Sequence, residues 1–289
     1  VYLDLDTLVI DPGVTSMFDH GEGKVAVINR GGRQKLNAGK PTLCTRLLNP
    51  LPRFAELVGA QGGYDYIEYV TEYSTFHMYD LDHVCRAADL YGLGTMVKID
   101  QANQHFVAQR AIGAGFQAIL FTDCRSAEDV RECVRICRPD TPEDGGYYPA
   151  AQRRNSLVSD AVGKDYVQAA RDIVVCVMIE KRGAVEQIDE ILEIPGLDMI
   201  QWGGTDYAMN LGLAFARDAP KVDEARRKVF EAALASKVPP RAEVSGPEAA
   251  EEYKQMGVRH FSVGGDLAYV SAGWKRDAKQ MGAFMADIR

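Results

Sequence analysis

"VMIEKRGAVEQIDEILEIPGLDMIQWGGTDYAMNLG", residues 177–212, decides the fold. It is an apolar run ending in Glu180, a stretch with helical spacing, a second apolar run ending in a glycine turn, and Asp206 just beyond. Short β-branched runs read as buried strands, and the spacing between them reads as an amphipathic helix. A strand, a helix and a second strand make a unit whose two strands run parallel, because the helix returns the chain to the end from which it started.

The same beat runs through most of the chain. "PTLCTRLL" (41–48), "YDYIEYVTE" (64–72), "TMVKID" (95–100), "AILFTD" (118–123), "VVCVMIE" (174–180), "MIQWGG" (199–204), "RAEVSG" (241–246) and "RHFSVGG" (259–265) are eight candidate strands. Stretches such as "AEDVRECVRIC" and "EAAEEYKQM" between them carry helical spacing. Eight such units in about 250 residues predict an α/β fold, a (β/α)8 TIM barrel forming a single domain. A doubly wound open sheet is the rival, but no GxGxxG follows the first strand and eight units exceed what such a sheet usually needs. Residues 1–37 read as an irregular N-terminal arm, and 38–289 as the barrel. The closing "DLAYVSAGWKRDAKQMGAFMADIR" reads as the last barrel helix, with Trp274, Met281 and Phe284 as its apolar contacts. The segment "RPDTPEDGGYYPAAQRRNSLVSDAVGKDY", residues 138–166, interrupts the beat; an insertion of that length is usually a lid, a binding loop or an oligomer contact.

Composition narrows the function classes. The chain has 289 residues, 46% hydrophobic and 26% charged, with a formal net charge of −8 and no long basic run, which argues against nucleic acid as a partner. No apolar run approaches the roughly 18 residues of a membrane span, and the start lacks a basic segment followed by an apolar one, so a cytoplasmic protein with no membrane partner is expected. Cys44, Cys85, Cys124, Cys133, Cys137 and Cys176 form no CxxC pair or zinc-like spacing and read as reduced structural thiols.

In barrel enzymes the chemistry sits at the C-terminal ends of the strands. Those positions hold Arg46, Glu72 and Tyr73, Lys98 and Asp100, Asp123, Glu180, Asp206, Glu243 and Asp266. Adjacent strands lie about 4.8 Å apart, so Glu180 and Asp206 can share one cation at roughly 2 Å from each oxygen. Two carboxylates without His or Cys suit Mg²⁺ or Mn²⁺, with Co²⁺ also tolerated. Singly, each acid could merely cap the helix that follows; the pairing on neighbouring strand ends favours the metal.

These residues resemble the HpcH/HpaI aldolases, of the citrate lyase beta-like superfamily, over roughly residues 38–275. The resemblance rests on 177–212, on "AIGAGFQAILFTDCRSAEDVRECVRICRP" (111–139) and on "GVRHFSVGGD" (257–266). It implies a divalent-metal-dependent carbon-carbon lyase, a class II pyruvate aldolase-like enzyme acting on a small-molecule 2-oxo acid through a pyruvate-type enolate. It implies Glu180 and Asp206 as metal ligands and the Gly204, Thr205 and Asp206 turn as the seat of the substrate carboxylate. It also implies a homo-oligomer, a hexamer or trimer of dimers, with the last helix exchanged between subunits.

The chain departs from the family pattern at several places. Where the family has Asp, a spacer and Glu-His after its second strand, this chain has "VTEYS", with Val70 and Tyr73 in place of the dyad. Lys98 stands where the family has an Arg, which keeps the charge and loses the planar fork. Met178 replaces a Gln, and Tyr147 stands roughly at a loop Arg. Proton transfer then falls to Tyr73, to His77 or to a metal-bound water. Arg46 and Glu72 are candidate substrate-binding residues, and Arg46, Tyr147, Arg153 and Arg154 suit an anionic substrate group. The missing dyad leaves open a 2-oxo acid decarboxylase, an acyl-CoA ester lyase, or a non-catalytic barrel that binds a carboxylate.

Overall fold

The computed structural model describes residues 32–149 and 164–288. Each of the eight predicted strands forms: β1 Thr42–Leu47, β2 Tyr66–Val70, β3 Gly94–Ile99, β4 Ala118–Phe121, β5 Val174–Ile179, β6 Met199–Trp202, β7 Pro240–Val244 and β8 His260–Gly265. They pair in chain order, all parallel, and β8 closes on β1 to make a barrel. The helices are α1 Gly32–Asn37, α2 Pro52–Gln61, α3 Met78–Asp89, α4 Gln104–Ala114, α5 Ala127–Cys137, α6 Lys164–Arg171, α7 Arg182–Glu186, α8 Ile188–Leu192, α9 Gly204–Asn210, α10 Pro220–Ala235, α11 Pro247–Met256 and α12 Asp266–Ala286. Among the described residues no helix is long and apolar enough to cross a membrane.

Local chemistry sets the helix starts. Pro52, Pro220 and Pro247 open α2, α10 and α11, where a missing N–H costs nothing. Ser126 caps α5 reciprocally: its Oγ accepts from the Asp129 N–H and the Asp129 carboxylate accepts from the Ser126 N–H.

The strands bury both faces. Ile67, Val97, Ile119, Val175 and Val177 face outward against Val84, Ala111, Val130 and the other helix residues of the main core. Cys44, Tyr66, Met96, Leu120, Cys176, Met178 and Met199 fill the barrel interior. Alternation along each strand therefore serves two cores, which is why the strands read as continuous apolar runs. One ion pair is enclosed among them: Arg241, fully buried, meets Glu68, Gln201 and the Cys44 thiol. All six cysteines are free and buried, as structural thiols should be.

Three expectations need correction. Gly32–Asn37 is a helix on the barrel floor rather than irregular arm, because Arg33 reaches the Asp198 carboxylate (2.7 Å) and the carbonyls of Asp172 and Ile173 at the start of β5. Residues 1–31 lie outside the described residues. The insertion begins on the floor, opposite the strand ends that carry chemistry: Arg138 donates to the Ile173 and Gly196 carbonyls and to Asp198. Tyr147 stacks on His105 and hydrogen-bonds Glu132 on the outer faces of α4 and α5. Arg153 and Arg154 lie outside the described residues.

The third correction concerns α12. Of its 21 residues only Asp266 is buried, while Trp274, Met281 and Phe284 are 73%, 55% and 57% exposed. The helix leaves the barrel instead of packing on it. Leu267, Trp274, Met281, Met285 and Ile288 recur at helical spacing, so the helix does carry an apolar stripe, and that stripe stands exposed from the described part of the barrel.

Candidate active site at the strand ends

The mouth of the barrel is assembled by hydrogen bonds between neighbouring strand ends. Thr71, just past β2, sends both its N–H (3.0 Å) and its hydroxyl (2.8 Å) to the Lys98 carbonyl on β3. Thr122, just past β4, donates to the Ile99 carbonyl. These bonds bring Glu72 and Tyr73 beside the Lys98 side chain. Its ammonium lies 2.7 Å from the Glu72 carboxylate and donates to the Tyr73 hydroxyl at 2.8 Å, with the Tyr73 ring 4.6 Å away by its centroid.

That cluster fixes two protonation states. Burial pulls the Lys98 ammonium down, but the Tyr73 and Glu72 oxygens outweigh it and hold its pKa well above the ordinary value. The Tyr73 pKa is raised, by partial desolvation of the phenol and by the Glu72 carboxylate, against Lys98, which lowers it. At neutral pH the pair is thus an ammonium and a neutral phenol, two donors and no base.

Across the mouth, Glu180 follows β5 and is 2% exposed. Its Oε1 accepts from the Asp123 N–H at 2.8 Å. Its Oε2 lies against Gly203, where any side chain would collide with it. Desolvation pushes the Glu180 pKa up to about 7; the Asp123 N–H and Lys98 oppose the shift, and Asp206 adds to it. The closed barrel brings the ends of β3, β5 and β6, and with them Lys98, Glu180 and Asp206, to the same rim. Asp206 sits in the first turn of α9, whose first internal bond runs from the Tyr207 N–H to the Gly203 carbonyl, leaving the amides of Gly204, Thr205 and Asp206 without helical partners. Lys181, a residue that the sequence reading passed over, places its Nζ 2.5 Å from Asp123 and 3.8 Å from Asp206.

The donor set fits a hard divalent cation. It offers one buried carboxyl at the end of β5 and one half-exposed carboxylate in the first turn of α9, with no thiol or imidazole. Among the described residues no group of three or more His, Cys, Asp or Glu gathers, so water and substrate oxygens have to complete the shell, as Mg²⁺ commonly requires.

Other candidates divide differently. Arg46 is at the mouth but is held by Glu243 (2.5 Å) and the Gly264 carbonyl. Asp266 takes the N–H groups of Leu48 and Asn49 and ties α12 to β1, a structural task. Asp100 accepts from the Asn103 N–H ahead of α4. His77 is exposed at the start of α3, where its N–H meets Asp80, and no described hydrogen bond joins it to Lys98, Glu72 or Tyr73. His83 and His105 lie on outer helices, and His260 is buried on the floor against Thr42. Among the described residues, then, no imidazole is hydrogen-bonded into the site.

Comparison with known proteins agrees with this architecture. Residues 75–272 match the sequence profile of the HpcH/HpaI aldolase/citrate lyase family. The 4-hydroxy-2-oxo-heptane-1,7-dioate aldolase of Escherichia coli is 25% identical over 257 residues, covering 86% of this chain and 93% of its own. A hydroxypyruvate/pyruvate aldolase of Roseovarius nubinhibens is 29% identical over 187 residues, 60% of this chain and 69% of its own. The crystal structure of an HpcH/HpaI aldolase from Desulfitobacterium hafniense superposes with a TM-score of 0.78 at 26% identity, covering 86% of this chain and 95% of that one.

Proposed function

Since the chain belongs to the HpcH/HpaI aldolase/citrate lyase family, we propose that it is a divalent-metal-dependent carbon-carbon lyase acting on a 2-oxo acid through a pyruvate-type enolate. The observation that carries this reading is the buried Glu180 carboxyl, linked to Asp206 through Asp123 and Lys181, on the same barrel rim as the Lys98, Glu72 and Tyr73 cluster. A divalent cation held by Glu180 and Asp206, Mg²⁺ or Mn²⁺ by donor type, supplies Lewis acidity toward the oxygens of the 2-oxo acid.

The chain's own groups do the rest. The free amides of Thr205 and Asp206 take the substrate carboxylate. Lys98 stays charged and stabilises negative charge as it develops on the enolate oxygen. Tyr73 stays protonated and delivers its proton to the enolate carbon, while the hydroxyl proton released on cleavage passes to water at the open mouth, from which the phenol is restored. Glu72 holds the Lys98 ammonium in place. The E. coli and R. nubinhibens relatives, named as aldolases of 2-oxo acids, support the substrate class.

A second reading has its own observation. Aldol cleavage needs a base for the hydroxyl proton, whereas the Lys98 and Tyr73 pair offers only donors. Decarboxylation of a 2-oxo acid bearing a carboxylate on the next carbon needs no base: carbon dioxide leaves, and Tyr73 protonates the enolate. One assay panel separates the two. Pyruvate release from 4-hydroxy-2-oxo acids with Mn²⁺ supports the lyase, and carbon dioxide release from a 3-carboxylated 2-oxo acid supports the decarboxylase. In either case Glu180→Gln is expected to abolish Mn²⁺ binding and turnover, and unchanged Mn²⁺ affinity in that variant would sink the metal assignment.

The exposed stripe on α12 supports a homo-oligomeric assembly in which a second copy covers that helix.

A further inference from the structure

The turn after β4 pivots on Asp123, whose φ of 60° is left-handed, a conformation that residues other than glycine seldom adopt. The unusual backbone has a specific result. It aims the Asp123 N–H at Glu180 Oε1 (2.8 Å), while the Asp123 carboxylate takes the ammonium of Lys181 (2.5 Å). One residue thus grips two consecutive residues at the end of β5, the first by its main chain and the second by its side chain.

Lys181 carries the grip onward. It is 9% exposed, although lysine is among the residues least often buried and its long stem could carry the charge into water. Its Nζ instead lies between Asp123 and Asp206, 3.8 Å from the latter. The ends of β4 and β5 and the start of α9 are therefore joined in a single chain of contacts running Glu180, Asp123, Lys181, Asp206. A stability role alone would be met as well by an apolar side chain in so enclosed a place, without the cost of desolvating an ammonium.

We infer that Asp123 and Lys181 are positioning residues that hold the Glu180 and Asp206 carboxylates in a cation-binding arrangement. Asp123 fixes the Glu180 carboxyl through its N–H and anchors Lys181, and Lys181 restrains Asp206 and offsets the repulsion between the two acids. The inference rests on the proposed role of Glu180 and Asp206 as metal ligands.

Titration of Mn²⁺ into the full chain, followed by electron paramagnetic resonance of the free ion, tests it. Lys181→Met keeps the stem without the charge, and Asp123→Asn keeps both the left-handed backbone and the N–H that Glu180 uses. Each is expected to weaken Mn²⁺ binding by about tenfold. The double variant should be no weaker than the worse single, and Lys181→Arg should restore most of the affinity. Tighter Mn²⁺ binding by Lys181→Met, the result for a mere like charge, overturns the inference, as does a double-variant loss equal to the product of the singles. Failure of the unaltered chain to bind Mn²⁺ would instead strike the metal assignment. Crystal structures of the metal-free wild type and Lys181→Met then decide: an Asp206 carboxylate that loses its single rotamer in the variant supports the positioning role, and an unmoved Asp206 refutes it.

Discussion

Glu180 is the residue on which pH acts most directly. Its pKa is raised from 4.5 to about 7, so the folded, metal-free chain keeps this proton over a range in which the unfolded chain has lost it. The sign follows: the stabilisation is full below about pH 4.5 and is lost as pH rises through 7, a change of at most about 3 kcal/mol for one group. Metal-free Glu180→Gln is therefore expected to melt at a higher temperature than the wild type at pH 8, with the gap closing toward pH 4.5, as differential scanning calorimetry would show. The same proton competes with a cation, so Mn²⁺ affinity should fall by about tenfold per unit below pH 7; a flat profile from pH 7 to 5 would contradict this. At Tyr73 the prediction is kinetic. Tyr73→Phe removes the proton donor but leaves the Lys98 and Glu72 pair, so kcat should drop by about 10²-fold or more while Mn²⁺ affinity holds. Loss of Mn²⁺ binding in Tyr73→Phe would assign the ring to the metal site instead.

At the scale of elements, the strands were legible because each one buries both faces and so leaves an unbroken apolar signature, as "VVCVMI" does for β5. The acids were legible because Glu180 ends such a run, where burial alone cannot explain a carboxylate. Other features were not. Lys181 reads as an ordinary solvated lysine, and only the left-handed turn at Asp123, invisible in a string of letters, draws it inward. By contrast, the insertion at 138–166 follows a helix and precedes β5, a position on the floor in a barrel of this order, and the Arg138 contacts place its beginning there. Helical spacing shows that α12 has an apolar face but cannot say which molecule receives it. Gly203 ends β6 for a reason of space: its φ of −115° suits any residue, yet a side chain would strike the Glu180 carboxylate and Met178. Gly203→Ala is accordingly expected to leave the circular dichroism spectrum intact and to weaken Mn²⁺ binding by about tenfold or more, by turning Glu180 aside. A Gly203→Ala chain with wild-type affinity would show that Glu180 has room to retreat.

For the molecule as a whole, α12 is the outstanding surface. Its 21 residues span roughly 32 Å, fixed at one end by Asp266 and exposing Trp274, Met281 and Phe284 along their length. Replacing all three with Ser should shift sedimentation from an oligomer to a smaller species with the barrel still folded; an unchanged sedimentation coefficient would remove α12 from the assembly. Apart from the enclosed pair of Arg241 and Glu68, the barrel has a charged cluster at each end. Asp198 gathers Arg33, Arg138 and the Val175 N–H on the floor, while Lys98, Glu180 and Asp206 stand at the mouth, a full strand length away. Substitutions more than about 10 Å apart without shared partners add nearly independently. The two ends can therefore evolve on separate schedules: a mouth altered toward a new substrate at some loss of stability can be compensated by a better-braced floor, and neither change has to wait for the other.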